Sequence, residues 1–311
     1  MRAAILGGTG SIGMATAARL AEQGAEVTVM SRSAPHTLPA GVEWMWADVT
    51  DPIGVRTALE RAKTDRLVHL ASLLQFACER DPREAARVNV DGTVNVLEAC
   101  RHAGIERVVF GSSIAVYGER CDLMRESDEL PAEASVYGIT KQLAESCGER
   151  YRMRHGVHFI ALRYSGVFGP GAPASAGMAQ VRQRIFRCAR GEDVAIEGAS
   201  GEERVHLTYV SDAAEATCTA LLASMPPPRL AYNVAGPEGN YVSLRELHAM
   251  LCELAPGSGR AIWSSQVARS AGPVDTSCMA EDLGWRPGVT LRDGLCEWLA
   301  SRPQEELVSV R

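Results

Sequence analysis

Three stretches of this 311-residue chain place reactive residue types at spacings that could do chemistry. Tyr137-Gly138-Ile139-Thr140-Lys141 sets a phenol and an ammonium four residues apart, hence on the same face of one helix. A lysine held near the phenol disfavours its neutral form, lowering its pKa so that it can pass a proton to or from a carbinol oxygen near neutral pH. Composition sharpens the signal: of 32 basic residues only Lys63 and Lys141 are lysine, so an indifferent basic position would read Arg. The second stretch, Gly111-Ser112-Ser113-Ile114-Ala115-Val116-Tyr117-Gly118, follows an apolar run. Open α/β sheets bind ligands at the carboxyl ends of such strands, and Ser113 is placed to hydrogen-bond a reacting oxygen. A lone Ser in a loop more often caps a turn; its company with the other motifs singles it out.

The third stretch is Gly7-Gly8-Thr9-Gly10-Ser11-Ile12-Gly13, with Gly7, Gly10 and Gly13 as spaced glycines between a first strand and a first helix. Glycines let a backbone turn sharply and approach a pyrophosphate, which the free amides and dipole of a helix N-terminus then meet. A dinucleotide site is expected here, with Ser11 and Ile12 in the first turn. The adenosine end falls just past the second strand, where an acid would bind the ribose 2'-hydroxyl of NAD. The sequence there is Met30-Ser31-Arg32-Ser33. An arginine flanked by hydroxyls suits a 2'-phosphate, so NADP is expected over NAD. Asp48 is placed for the adenine edge, and Val49, Leu70 and Ala71 complete the expected cofactor set.

These residues need a scaffold, and the chain supplies its pattern. Ala3 to Leu6, Val27 to Met30, Leu67 to Leu70, Arg107 to Phe110 and Phe159 to Leu162 read as buried strands. Helical patterns fall between them, as at Glu84 to Ala103 and Val136 to His155. Strands alternating with helices of that length predict an α/β fold, a Rossmann-like doubly wound parallel sheet covered on both faces. The rhythm breaks after Phe168 at Gly169-Pro170-Gly171-Ala172-Pro173. The expected division is therefore a dinucleotide-binding domain over 1–168 and a smaller substrate lobe over 169–311. Thr208-Tyr209-Val210 and Ala231 to Val234 look like strands that return to the core, so roughly 205–235 should interleave with the sheet.

Composition excludes several classes. A net charge of -6 with no basic run argues against a nucleic-acid partner. The nine cysteines are scattered without a C-x-x-C pair, which fits free thiols in a reducing cytoplasm. No secretion signal precedes the glycine loop, and no apolar stretch approaches the roughly eighteen residues of a membrane span; a cytoplasmic protein is expected. His155 and His158 lack a third ligand at a fitting spacing, so no metal is expected.

Together the motifs resemble the extended short-chain dehydrogenases, the group of NAD-dependent epimerases and dehydratases, over essentially the whole chain. The matching segments are Gly7 to Gly13, Asn89 to Asn95, Ser112 to Gly118, Tyr137 with Lys141, Arg163-Tyr164 followed by Phe168-Gly169-Pro170, and Tyr209-Val210-Ser211-Asp212. The resemblance implies that Ser113 polarises the substrate oxygen, Tyr137 is the acid/base, Lys141 binds the nicotinamide ribose and Asn89 supports the cofactor region. It also implies a homodimer built from two helices of each subunit. The activity implied is reversible hydride transfer at a secondary alcohol or ketone of a sugar-like small molecule, with Tyr164, Gly166 and Arg204 as candidates for holding it.

Two anchors of the nucleotide-sugar enzymes in that group are replaced. Their R-Y-F-N-V-Y-G-P carries an Asn toward the substrate pyrophosphate, and this chain has Gly166 there. A later R-D-F-V-x-V-x-D supplies an arginine to the same group, where this chain has Val205, with Arg204 adjacent but out of register unless a bulge shifts it. Arg182, Arg184, Arg187 and Arg260 are other possible anion partners. A substrate without a nucleotide diphosphate is thus favoured over the alternative, a nucleotide-sugar 4-epimerase or dehydratase. A non-catalytic NAD(P)-sensing protein is the alternative of another class, and it would not need the Tyr-Lys pair.

Overall fold

Short runs such as Ala3-Ala4-Ile5-Leu6 are apolar at every position, the signature of a strand buried on both faces. The computed structural model describes residues 1–105, 107–171, 187–189, 191–265 and 270–301. In it such runs become β1 (Arg2–Leu6), β2 (Glu26–Ser31), β3 (Val42–Trp46), β4 (Arg66–His69), β5 (Arg107–Ser113) and β6 (His158–Tyr164). Further along the chain come β7 (Gly166–Phe168), β8 (Val194–Ile196), β9 (Arg204–Tyr209), β10 (Ala231–Val234), β11 (Tyr241–Ser243) and β12 (Ala261–Trp263).

Seven strands form one parallel sheet in the order β10-β6-β5-β4-β1-β2-β3. Alternate residues feed two separate cores. Ala4, Leu6, Val108 and Phe110 pack under the helices Gly92–Ala103 and Val136–His155. Ala3, Ile5, Val109, Ile160 and Tyr164 pack under Ser11–Glu22 and Val210–Leu222, which touch each other. The chain is thus a Rossmann-like doubly wound sheet. The strand order reverses between β1 and β4, and a crevice opens there at the carboxyl ends.

Segment 205–235 divides between two sheets. β10 lies beside β6 in the main sheet, whereas β9 pairs with β7 and antiparallel β11 in a three-stranded sheet. A third core beneath that small sheet gathers Phe168, Val205, Leu207, Tyr209, Leu247 and Trp298. Asp212, four residues into the stretch that matched the family, accepts from the amides of Gly288 and Val289 and so ties the C-terminal segment to the helix Val210–Leu222. Among the described residues no helix is long and apolar enough to cross a membrane, and all nine cysteines are free.

The predicted helix from Val136 to His155 has those bounds: Ser135 caps its start by accepting from the Gly138 amide, and Gly156 at φ 69° ends it. The stretch Glu84 to Ala103 is not one regular helix. A π-helical segment, Ala86–Asp91, separates Pro82–Ala85 from Gly92–Ala103 and contains Asn89. Such wide turns concentrate at functional sites.

Candidate active site

The glycine loop is built for close approach. Gly7 takes φ 75°, and a Cβ on it would fall 2.5 Å from the Ala71 amide and 2.7 Å from the Leu70 carbonyl carbon. Leu70 and Ala71, both expected at the cofactor, therefore line the loop. A Cβ at Gly13 would stand 2.6 Å from the Gly8 Cα, so helix and loop pack backbone to backbone. At Gly10 the nearest atom would be 3.4 Å away, which leaves that side open. Gly10 starts the helix without a side-chain cap, and among the described residues the amides of Ser11, Ile12 and Gly13 have no partner. An open, uncapped helix N-terminus over a glycine cradle fits a dinucleotide pyrophosphate.

At the adenosine end, the Ser31 hydroxyl is already engaged: it donates to the Ser33 carbonyl at 2.7 Å and accepts from the Trp44 indole at 3.0 Å. Arg32 is exposed and forms no ion pair among the described residues. Asp48 accepts from the Thr50 amide and hydroxyl, both at 2.9 Å. Burial disfavours its charge, but those bonds with Arg32 and Arg87 nearby hold its carboxyl below the ordinary range. Val49 is buried, and its carbonyl accepts from Asn95 at 2.9 Å.

Asn89 is a buried clip. Its oxygen accepts from the Leu73 amide at 2.7 Å, and its nitrogen donates to the Leu73 carbonyl and to the Thr140 hydroxyl, each at 3.0 Å. It thereby joins the loop after β4 to the helix that carries Tyr137 and Lys141.

The end of β5 faces that helix at the two expected residues. The Ser113 hydroxyl accepts from the Ala115 amide at 3.2 Å and so caps the turn after β5, and it lies near enough to the Tyr137 phenol to favour its ionisation. Gly138 lets the helix lie against the Ala115 carbonyl, where a Cβ would clash. Lys141 is buried, 1% exposed, and its ammonium donates to the Gly111 carbonyl at 2.6 Å. It lies 4.6 Å from the Phe110 ring centroid and 5.6 Å from that of Tyr137.

The electrostatics correct one expectation. The Tyr137 phenol is pushed up from its ordinary value, not down: burial dominates, and the Ser113 bond offsets it in part. The residue is half-buried. Lys141 adds nothing that offsets this burial; its ammonium donates to the Gly111 carbonyl and is itself held down to about 8 by desolvation. Nearby His69 donates from Nε2 to the Thr93 hydroxyl, and burial with the Lys141 charge holds it down to about 3, so it stays neutral.

The substrate candidates fare differently. Tyr164 is not brought to the site: its ring lies in the core under Val210–Leu222 and its hydroxyl meets Thr217 at 2.7 Å. Arg204 is committed elsewhere, donating to the Tyr241 carbonyl at 2.7 Å, stacking on that ring at 4.7 Å and pairing with Glu246. The register of β9 runs without interruption from Arg204 to Tyr209, so no bulge shifts it, and Val205 stays buried in the lobe core. Gly166 opens β7, two residues beyond the β6 residue that faces Ser113 in register. Arg187 and Arg260 pair with Glu192 and Asp193; Arg182 and Arg184 lie outside the described residues. Among the described residues no cluster of three or more His, Cys, Asp or Glu could hold a metal ion.

Sequence reasoning missed a buried polar network behind this site. Ser112 donates to Glu145, whose carboxylate receives Arg163 through Nε at 3.1 Å and Nη2 at 2.7 Å. Arg163 also donates to the Tyr117 hydroxyl at 2.9 Å, which donates to Asn233 at 2.7 Å. The available signal was the continued four-residue spacing Tyr137, Lys141, Glu145.

A doubly wound sheet, an open glycine loop at its crevice and a Ser-Tyr-Lys face beside it define a nicotinamide-dinucleotide enzyme. A model of the NAD dependent epimerase/dehydratase family matches residues 3–235, and the chain belongs to that family. A putative UDP-glucose 4-epimerase of Methanocaldococcus jannaschii is 25% identical over 94% of this chain and 95% of its own length. D-erythronate dehydrogenase of Cupriavidus necator is 31% identical over 57% of this chain and 58% of its own. The crystal structure of Thermus thermophilus UDP-glucose 4-epimerase in complex with NAD superposes with a TM-score of 0.81 at 27% identity, covering 96% of this chain and 98% of that one. The chain is an NAD(P)-dependent oxidoreductase or epimerase of the extended short-chain dehydrogenase type.

Proposed function

We propose that the enzyme interconverts a secondary alcohol and a ketone on a hydroxylated, sugar-like small molecule that lacks a nucleotide diphosphate. The observation behind this is the Ser113 hydroxyl beside the Tyr137 phenol, with the Lys141 ammonium 5.6 Å from the Tyr137 ring, at the carboxyl ends of strands that adjoin an open glycine loop. A bound nicotinamide supplies the hydride donor and acceptor. Ser113 orients the substrate oxygen, and the Tyr137 hydroxyl gives that oxygen a proton or takes one from it. Lys141 holds the nicotinamide ribose beside the Tyr137 ring. The dinucleotide is held at Gly7, Gly10, Ser11, Ile12 and Gly13, and NADP is preferred over NAD through the exposed Arg32, which has no ion pair among the described residues.

Buried Val205 and engaged Arg204 favour the non-nucleotide substrate. A second reading, nucleotide-sugar epimerisation, is favoured by the UDP-glucose 4-epimerases among the relatives. One experiment separates them: a cofactor balance over a panel of sugar acids, free sugars and UDP, dTDP and GDP sugars. Net NAD(P)H from a non-nucleotide substrate supports the first reading; turnover of an NDP-sugar without it establishes the second. The same reading includes a cytoplasmic homodimer whose contact uses Ile139, Leu143 and Met153, exposed apolar side chains of the helix Val136–His155, which light scattering of Leu143→Glu would test.

A further inference from the structure

Three consecutive residues at the end of β5 each face a side chain of the helix Val136–His155, and only two of those pairings belong to the chemistry above. Gly111 receives the Lys141 ammonium, Ser113 meets the Tyr137 phenol, and Ser112 between them donates to Glu145. On the helix the three partners stand four residues apart, so they form one stripe down a single face.

Glu145 is 3% exposed, and Arg163 balances its charge with a two-bond fork. An ion pair needs no more than that. The Ser112 bond is additional, and it is made by the residue next to Ser113. Through Arg163, Tyr117 and Asn233 the same carboxylate is braced by β6, by the turn Ile114–Tyr117 and by β10. A support fixed from that many sides holds its bond partner to one geometry, and small displacements of reacting groups cost rate steeply.

We propose that Glu145 is a positioning residue which, acting through Ser112, fixes the end of β5 so that Ser113 faces the Tyr137 phenol with Lys141 beside them. This rests on the roles proposed above for those three residues. A second consequence follows for Lys141. The groups that act on it are the Gly111 carbonyl, the Phe110 and Tyr137 rings, Cys78, His69 and Glu145. Cys78 and Glu145 both favour the ammonium, but burial raises the Cys78 thiol and keeps it neutral, which leaves the Glu145 carboxylate, one turn along the same helix face, as the anion beside Lys141.

Two measurements test this. The chain has just two lysines, so carbon-13 lysine labelling resolves the titration of Lys141 with exposed Lys63 as internal reference. Glu145→Gln, which keeps the shape, should move the Lys141 titration to lower pH and leave Lys63 in place; an unmoved Lys141 in a folded variant overturns the electrostatic half. Ser112→Ala leaves the Glu145-Arg163 pair intact. It should lower kcat by about tenfold or more with KM, cofactor affinity and Tm little changed, and Ser112→Thr should restore most of the rate. A folded Ser112→Ala enzyme with kcat within about twofold of wild type overturns the positioning half. Should the parent enzyme turn over nothing on the panel, the functional reading above fails, and the lysine titration still decides on Glu145.

Discussion

The crevice and the substrate lobe treat polar side chains in opposite ways. Behind Ser113 and Tyr137, Glu145, Arg163, Tyr117 and Asn233 are buried and bonded to one another across four elements. Beneath β9, Val205, which stands where the nucleotide-sugar pattern has an arginine, packs with Leu207 and Tyr209 in an apolar core, and Arg204 lies at the strand's edge, paired on the surface. A fully bonded buried network has one low-energy arrangement, because any displaced member leaves a desolvated charge or dipole. An apolar core tolerates exchange of side chains of similar volume. The comparison teaches that the residues around Ser113 and Tyr137 are held to one geometry, whereas the lobe beneath β9 is held by packing that leaves its side chains exchangeable.

The largest expected effect falls on the crevice. Tyr137→Phe should lower turnover by about 10²- to 10⁴-fold while cofactor affinity stays within a few-fold, since the phenolic proton is used and the ring is not the main anchor. Stopped-flow and cofactor titration measure both, and retained activity would remove Tyr137 from the mechanism. Arg163→Ala follows: it strands a buried carboxylate and should cost about 3 to 5 kcal/mol of stability, read by urea denaturation. A loss under about 1 kcal/mol would show that the network is not the rigid half.

A smaller effect is expected at the adenosine end. Arg32→Ala should weaken NADP binding by about ten- to a hundredfold and leave NAD nearly unchanged, as a charge-assisted phosphate contact is worth about 1.5 to 3 kcal/mol. Equal loss for both cofactors would mean that Arg32 reads something other than the 2'-phosphate. The pH profile adds a signed test. The Tyr137 phenol is raised, so the proton-donating form prevails and ketone reduction should hold near neutral pH; it should fall as pH rises through about 8, where Lys141 loses its proton. A flat profile to pH 10 or so would separate Lys141 from catalysis.

The smallest effect belongs to the lobe. Arg204→Ala should change stability by less than about 1 kcal/mol, because its Glu246 pair is exposed, and should not create or abolish binding of UDP, dTDP or GDP. Micromolar binding of one of these to the cofactor-loaded enzyme, lost in Arg204→Ala, would erase the contrast between the regions and restore the nucleotide-sugar reading.

What the sequence determined by itself was local. The glycine spacing, the Tyr137-Lys141 interval and the bounds of the helix Val136–His155 each lie within one element or one turn, where backbone geometry converts spacing directly into position. The family followed from those motifs in order. Tertiary structure alone decided the rest. Parallel strands are apolar on both faces, so no pattern in β6 says that Tyr164 turns to Thr217 while Arg163 turns to Glu145. The Ser112-Glu145 bond spans 33 residues and exists because the strand order sets β5 against that helix. The direction of the Tyr137 shift was misread for a related reason: spacing reports that a lysine is near, but only packing reports that burial outweighs it.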